Sequence, residues 1–319
     1  MGLKLIWDVA HEGLRRTLNL MLPVAVGIGV IQVNVMLDRL IAYFCVPGEG
    51  AVCVLNYGNR LMQFPLGVLG LALATAVFPS LVRQAHGENS RQMVGTVNMA
   101  VRTAMFMALP CMGVLIALRT PIVQVLLERG RFTGDATAHT ARVLLYYGVG
   151  LWAFFGIHIL TRAFYALEEP HAPVRVAMWM VGANLVLNLT LVWPMQEAGL
   201  ALASSLSAAG NMVCLLWILR KRLGRLGIRS MMTSGIRILA ASCVGGIAAG
   251  WVYPFATEHR IVNEVVSCQK TVVGVALFLA MAAAGAAFAA CAWLFRVREL
   301  GDFVRALKSS GRIDPDASA

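Results

Sequence analysis

Charged residues are scarce in this chain of 319 residues. Asp, Glu, Lys and Arg together make up only 13% of it, whereas hydrophobic residues make up 59%. An ordinary soluble domain carries roughly 25% charged residues. One soluble core cannot bury so much apolar surface, but a lipid bilayer accepts that surface directly. The composition excludes a water-soluble globular protein and predicts a membrane protein.

Paired cysteines and catalytic motifs are absent as well. The seven cysteines are scattered without a CxxC pair or a Cys/His spacing, so the sequence supports neither a zinc site nor a disulfide framework. No GxSxG, HExxH or Gly-rich phosphate loop occurs. The first 16 residues include Asp8 and Glu12 and lack the apolar core of a cleavable signal peptide. We therefore expect no enzymatic activity, no catalytic residue and no cofactor.

Long uncharged stretches predict the transmembrane helices. A helix needs about 20 apolar residues to cross the hydrocarbon, and charged residues border each such stretch here. The third stretch is short and is expected to borrow the amphipathic turn 93–102. The sequence predicts an all-α polytopic protein with about eight spans: Thr17–Leu37, Leu61–Val82, Thr103–Leu118, Val143–Thr161, Val176–Met195, Ala198–Leu219, Ile238–Thr257 and Thr271–Phe295.

The distribution of positive charge predicts the orientation. Most of the 27 lysines and arginines fall on one side when the connections between spans are assigned alternately to the two sides. Cytoplasmic connections carry the excess of Lys and Arg in membrane proteins. Both termini are therefore expected in the cytoplasm. Gln196 and Glu197 alone separate the fifth and sixth spans, which predicts a tight helical hairpin with its tip outside.

A long basic connector, 220–237, follows the sixth span and indicates a boundary. We divide the chain into a six-helix transporter lobe at 1–230, two extra transmembrane helices at 231–296 and a cytoplasmic tail at 297–319.

Arg60 is the sharpest candidate for a binding residue. It stands between Asn59 and Gln63 at the outer start of the second predicted span. A guanidinium there can bind a phosphate or a carboxylate through two hydrogen bonds. An interfacial anchor that reaches into the headgroups is the alternative, and the residues alone leave both open.

Polar side chains inside the spans form a second candidate group. Such residues are costly in lipid and are functional candidates by default. Asp38 closes the first span, Asn184 and Asn188 lie four residues apart on the fifth, and Ser204 lies on the sixth. Their oxygens can surround a small hard cation, or they can hydrogen bond between helices; Asp38 can also pair with Arg60.

A third group lies at the predicted inner mouth. Arg162 and Arg175 flank a predicted cytoplasmic loop at 163–173 that includes Tyr165. Two interpretations stay open: these arginines bind an anionic substrate at this mouth, or they only reflect the excess of positive residues on the cytoplasmic side. His158 lies deep in a span, where a core hydrogen bond and a proton relay are both open.

Four strings resemble the second half of the MurJ/MviN lipid II flippases, which belong to the multidrug/oligosaccharidyl-lipid/polysaccharide exporter superfamily. They are QVNVMLD at 32–38, YGNRLMQFPLGV at 57–68, LERGRFT at 127–133, and RAFYA at 162–166 with PVR at 173–175. The resemblance runs in register from about residue 9 to about residue 222 and more loosely through the last two helices.

The resemblance implies two six-helix lobes around a cationic cavity, followed by two helices that form a groove for a lipid tail. The implied activity is translocation of the undecaprenyl-pyrophosphate-linked peptidoglycan precursor across the bacterial inner membrane by alternating access. By this resemblance Arg60 matches the cavity arginine that holds the pyrophosphate. Together with it we expect Gln63, Asn59, Arg162 and Arg175 to bind the substrate. Many members carry acids at the positions of Gln63 and Asn59.

A sodium site is also implied by the resemblance, and Na⁺, protons and the membrane potential all stay open as the source of coupling. Its ligands would be Asp38, Asn184, Asn188, Ser204 and the carbonyl of Leu200. Asn188 stands where the family pattern has a carboxylate.

The family has fourteen helices, and this chain begins at what would be the seventh. We therefore expect an N-terminal lobe as a partner, either in the same longer chain or as a separate chain, in addition to the lipid-linked precursor and membrane lipids. Nucleic acid is not an expected partner. Two alternatives stay open: an exporter of another lipid-linked saccharide or of drugs in the same superfamily, and a truncated, non-transporting membrane protein.

Overall fold

The computed structural model describes residues 12–47, 50–85, 90–130, 132–224, 226–258 and 269–295, together with Glu299. This part of the chain is built from α-helices joined by short turns, with one π-helical turn at Leu66–Gly70. The helices are α1 (Glu12–Cys45), α2 (Ala51–Pro65), α3 (Leu71–Ala85), α4 (Ser90–Ala117), α5 (Arg119–Leu127), α6 (Gly134–Val149), α7 (Leu151–Ala166), α8 (His171–Met195), α9 (Glu197–Leu223), α10 (Ile228–Glu258) and α11 (Gln269–Leu294).

The lengths and composition of the helices confirm an all-α polytopic membrane protein. Among the described residues, 7 helical segments are long and apolar enough to cross a membrane, and the pair α6 and α7, bent by 46°, brings the number to 8. One segment, Ala51–Ala85, joins α2, the π-turn and α3. Pro65 precedes the π-turn and cannot donate a backbone hydrogen bond, which accounts for the local change of helix type.

Several helices extend beyond the predicted spans, because a helix does not end where the hydrocarbon ends. Helix α4 includes the amphipathic turn 93–102, as expected for the short third span. The predicted loop at 163–173 is only four residues long, since α7 ends at Ala166 and α8 begins at His171. The tight hairpin is confirmed: Gln196 alone separates α8 from α9, with a φ of 54°. Helix α5 is too short for a span and was not predicted.

Helix α7 lies at the centre of the packing, against α3, α4 and α9. Its side chains Phe155, Leu160 and Phe164 are completely buried. Four tryptophans face outward: Trp179, Trp193, Trp251 and Trp293 are each at least three-quarters exposed. Large apolar side chains on the outside and aromatic residues near helix ends are typical of a protein surrounded by lipid.

The two C-terminal helices pack against the rest mainly through α4, and α11 also contacts α5. Helix α10 runs along α4, and α11 packs on α10. A Cβ atom on Gly113 of α4 would lie 2.8 Å from the carbonyl oxygen of Ser242 in α10, so the two backbones approach as closely as only glycine allows. The predicted tail at 297–319 lies outside the described residues except for Glu299, and the boundary at residues 230 and 231 stays a prediction.

Candidate functional site

Asp38 forms the centre of a buried polar cluster between α1, α8 and α9. Only 9% of the residue is exposed. Asn188 Nδ2 donates to Asp38 Oδ1 at 2.6 Å and to Asn184 Oδ1 at 2.8 Å, and Ser204 Oγ donates to Asp38 Oδ2 at 3.3 Å. Since Asn184 and Asn188 are one helical turn apart, both face the carboxylate. Four side chains that the sequence grouped together are therefore in contact.

Asn34 and Ser207 extend this cluster through the side-chain amide of Asn184. One atom of the amide lies 3.1 Å from Asn34 Oδ1 and 3.1 Å from Asp38 Oδ1, and the other lies 3.3 Å from Ser207 Oγ. With its nitrogen toward Asp38, the amide donates to both oxygens and accepts from Ser207. The opposite assignment of the amide leaves only the bond from Asn188 Nδ2 to its oxygen, so the hydrogen-bonded arrangement with Asn34, Asp38 and Ser207 satisfies more polar groups.

Two further observations bear on a cation at this cluster. Asn188 Oδ1 is buried and has no hydrogen-bond partner within the described residues. Leu200 is completely buried on α9, one turn before Ser204. No group of three or more His, Cys, Asp or Glu side chains suited to a metal occurs in the described part of the chain. A single carboxylate with neutral oxygens fits a monovalent hard cation better than a transition metal.

Arg60 lies exposed on α2, and no carboxylate among the described residues pairs with it. Beside it, Gln63 Nε2 donates to Asn59 Oδ1 at 2.6 Å. The predicted alternative, a pair between Asp38 and Arg60, is not what the structure has, because Asp38 is turned into the cluster. The neighbouring Arg39 instead donates from its guanidinium to Asn56 Oδ1 at 2.9 Å. Arg60 thus presents a guanidinium that is available to an anion.

Tyr147, which the sequence analysis did not single out, connects the two regions. It is 4% exposed at the end of α6. Its side chain lies beside Ser204 of the buried cluster and beside Asn59 of the Arg60 surface. Sequence spacing gives no signal for such a contact, because the three residues lie on three different helices.

The arginines at the predicted inner mouth lie on helices rather than in a loop. The guanidinium of Arg162 on α7 stands 5.6 Å from the ring centre of Phe78 in α3, a cation–π contact. Arg175 is exposed on the first turns of α8. His158 is partly exposed on α7, within a span, as predicted.

A cavity of about 800 Å³ opens at the opposite end of the helices, where α1 ends and α2, α6 and α9 begin. His139 Nδ1 and Glu197 Oε1 lie 2.5 Å apart on its wall, and the carboxylate is almost completely buried. Tyr57 and Phe132 meet edge to face there, with ring centres 5.6 Å apart. The pairing of His139 with Glu197 crosses 58 positions of sequence and was not predicted.

Comparison with known protein families gives one extended match. The model of the family described as lipid II flippase MurJ matches residues 1–290. A probable lipid II flippase MurJ of Vibrio cholerae is 34% identical over 209 residues, which cover 66% of this chain and 39% of the relative. A lipid II flippase MurJ of Burkholderia cenocepacia is 32% identical over 222 residues, which cover 70% of this chain and 43% of the relative. The chain thus spans about two fifths of the length of these relatives.

Solved structures share the fold. A lipid II flippase MurJ in an inward closed conformation superposes with a TM-score of 0.66 and 19% identity, over 94% of this chain and 57% of that one. A MATE transporter in a bent conformation gives a TM-score of 0.55 and 14% identity, over 92% of this chain and 68% of that one. At these identities, the similarity concerns the fold alone.

Proposed function

The chain belongs to the lipid II flippase MurJ family, and we propose on that basis that it provides the second six-helix lobe and the C-terminal helix pair of a lipid II flippase. The family match over residues 1–290 carries this proposal. Its activity would be translocation of the undecaprenyl-pyrophosphate-linked peptidoglycan precursor across the bacterial inner membrane, with both termini in the cytoplasm. A first lobe, in the same polypeptide or in a second one, would form the other wall of the cavity.

Arg60 is the residue that we propose to bind the pyrophosphate. Its guanidinium is exposed and unpaired within the described residues, and a guanidinium matches two phosphate oxygens at once. Asn59 and Gln63, hydrogen bonded to each other, would supply neutral donors beside it. Arg162 and Arg175 would meet the anionic headgroup at the cytoplasmic entrance, where positive residues collect. Rocking of the two lobes would then expose the headgroup to the other side.

We propose that the cluster around Asp38 holds Na⁺ as the coupling ion. The ligands would be the side chains of Asp38, Asn184, Asn188 and Ser204 with the carbonyl of Leu200. The buried, unpartnered Asn188 Oδ1 supports this assignment. A bound cation would neutralise the Asp38 carboxylate and hold α1 against α8 and α9, whose side chains form the cluster.

Substitution of Arg60 tests the transport proposal. Hydrogen bonds to charged groups contribute about 1.5–3 kcal/mol, so we expect Arg60→Gln to lower lipid II translocation by about 10- to 100-fold. Arg60→Lys should translocate lipid II at a rate between those of the wild type and Arg60→Gln, because lysine keeps the charge but cannot bind two phosphate oxygens at once. The measurement is translocation of labelled lipid II in proteoliposomes, made with whichever first lobe co-purifies or is covalently present. Arg142→Gln, which removes an exposed arginine on α6, is the matched control.

Equal transport by Arg60→Gln and the wild type would contradict the role of Arg60. Wild-type vesicles that translocate a drug but not lipid II would favour the alternative, an exporter of drugs in the same superfamily. The intact mass of the native protein, captured with an antibody against residues 297–319, identifies the assembly to reconstitute. A mass of 34.4 kDa means that a separate chain supplies the first lobe, and a much larger mass means that the same chain does.

Stabilisation by sodium tests the cation proposal without a transport assay. A ligand at ten times its Kd stabilises the folded protein by about 1.4 kcal/mol. We expect NaCl, compared with choline chloride at equal ionic strength, to raise the Tm of the wild type and not that of Asp38→Asn. Asp135→Asn removes an exposed carboxylate and should respond as the wild type does. An undiminished sodium response in Asp38→Asn would refute the site.

A further inference from the structure

Arg102 of α4 contacts both ends of the C-terminal helix pair. Its Nε donates to Glu299 Oε1 at 2.5 Å, just after α11, and its Nη1 donates to Ser230 Oγ at 3.3 Å, in the first turn of α10. One guanidinium therefore joins three parts of the chain that lie 128 and 197 positions apart in sequence.

The environment of this ion pair differs from that of an arginine that only anchors a helix in the headgroups. An anchoring arginine extends its charge into water and lipid phosphates. The side chain of Arg102 is only 20% exposed and that of Glu299 only 6% exposed. The Glu299 carboxylate is almost completely buried and the Arg102 side chain is mostly buried, so the two charges compensate each other where few other groups can reach them.

A second attachment lies farther along α4. A Cβ on Gly113 would lie 2.8 Å from the carbonyl oxygen of Ser242, and a Cβ on Gly246 would lie 3.2 Å from the carbonyl oxygen of Gly113. At 1.5 Å per residue, Gly113 is about 16 Å from Arg102 along the helix. Two attachments separated by this distance fix the angle between α4 and α10 as well as their position.

We infer that Arg102 is a positioning residue that holds α10 and α11 to α4, so that the C-terminal pair moves with this lobe as one body. The two helices would then keep a constant geometry to α4 while the lobe rocks against its partner. A lipid tail bound beside them would travel with this lobe and not with the other. Only this last consequence rests on the proposed function; the attachment itself does not.

Exchange of the two charges tests the inference. Spin labels at Gly95 on α4 and Gly274 on α11, where a side chain meets open space, report the distance between the helices in a cysteine-free full chain. We expect a single narrow distance distribution in the wild type. Arg102→Glu and Glu299→Arg should each broaden it at least twofold, and the double exchange should restore most of the narrow component. Arg91→Glu, on the exposed side of α4, should leave it unchanged.

Arg102→Lys provides a second variant that retains the fold if the reversals misfold. A lysine keeps the charge opposite Glu299 but cannot donate to two partners in fixed directions, so we expect an intermediate width. Narrow distributions in both Arg102→Lys and Arg102→Glu would overturn the inference, as would a folded double exchange that stays broad. Lipid II translocation is measured on the same samples after reconstitution with whichever first lobe co-purifies or is covalently present. A wild-type assembly with a narrow distribution and no translocation would count against the proposed function and leave the attachment standing.

Discussion

Substitution of Gly113 by alanine tests the close approach of α4 and α10 directly. The new Cβ would lie 2.8 Å from the carbonyl oxygen of Ser242, whereas ordinary van der Waals contact begins at 3.4 Å. The two backbones must therefore separate by about 0.6 Å, or the helices must tilt. Neither atom is the end of a flexible side chain, so local rearrangement does not remove the clash. Overpacking of this kind costs about 1–3 kcal/mol.

Gly95→Ala is the matched control, because Gly95 lies on the same helix and a Cβ there meets nothing within 4 Å. Both substitutions gain the same helix preference, up to about 1 kcal/mol, so the difference between them isolates the steric cost. We expect Gly113→Ala to have a free energy of unfolding about 1–3 kcal/mol below that of Gly95→Ala. Gly246→Ala, with its contact at 3.2 Å, should fall between the two.

The assay is equilibrium unfolding in mixed micelles of dodecyl maltoside and SDS, followed by tryptophan fluorescence. Trp251 on α10 reports on the helix that must move. Equal stability of Gly113→Ala and Gly95→Ala would refute the reasoning, since a backbone contact at this distance cannot accept a methyl group without cost. A larger decrease in the free energy of unfolding for Gly246→Ala than for Gly113→Ala would contradict the prediction that the shorter contact is the more costly one.

Two more predictions concern the cavity between α1, α2, α6 and α9 and the orientation of the chain in the membrane. His139→Ala leaves the buried Glu197 carboxylate without its hydrogen-bond partner and should lower the free energy of unfolding by about 1–3 kcal/mol. Glu197→Gln in the same background should recover part of this loss, and Arg142→Ala should change the free energy of unfolding little. The second prediction concerns single cysteines introduced by Thr133→Cys or His171→Cys into a cysteine-free chain. An impermeant maleimide added to intact spheroplasts should label the cysteine at position 133 and not the one at position 171. The reverse labelling pattern would contradict the predicted orientation, in which both termini are cytoplasmic.

The number of spans could be predicted from sequence because the requirement for about 20 apolar residues is strict in lipid. The polar cluster could be predicted in part for a similar reason. Asn184 and Asn188 share a helix face by their spacing, and few polar residues occur inside the spans to meet Asp38. The hairpin at Gln196 followed from the two residues available to connect two helices.

Features set by tertiary packing could not be predicted in this way. The bend between α6 and α7 occurs at Gly150, where a Cβ would collide with Ser205 of α9. The sequence does not show that these two residues are neighbours, because only the packing of the helices brings them together. The pairs His139 with Glu197 and Arg102 with Glu299 join distant parts of the chain, and no periodicity connects them. Helix α5 could not be predicted from the apolar stretches, because its 9 residues are far fewer than a membrane span requires.

The π-helical turn at Leu66–Gly70 absorbs one surplus residue without changing the phase between the two halves of the second span. Each residue of an α-helix advances the side chains by about 100°, so four residues turn them by about 400°. The wider π-turn spreads about the same rotation over its five residues. Deletion of one residue from this turn would therefore give a continuous α-helix and leave Phe78 facing Arg162. A deletion elsewhere in α2 or α3 would instead rotate one half of the span against the other, so related chains can gain or lose a residue at this turn and keep the same faces in contact with α7.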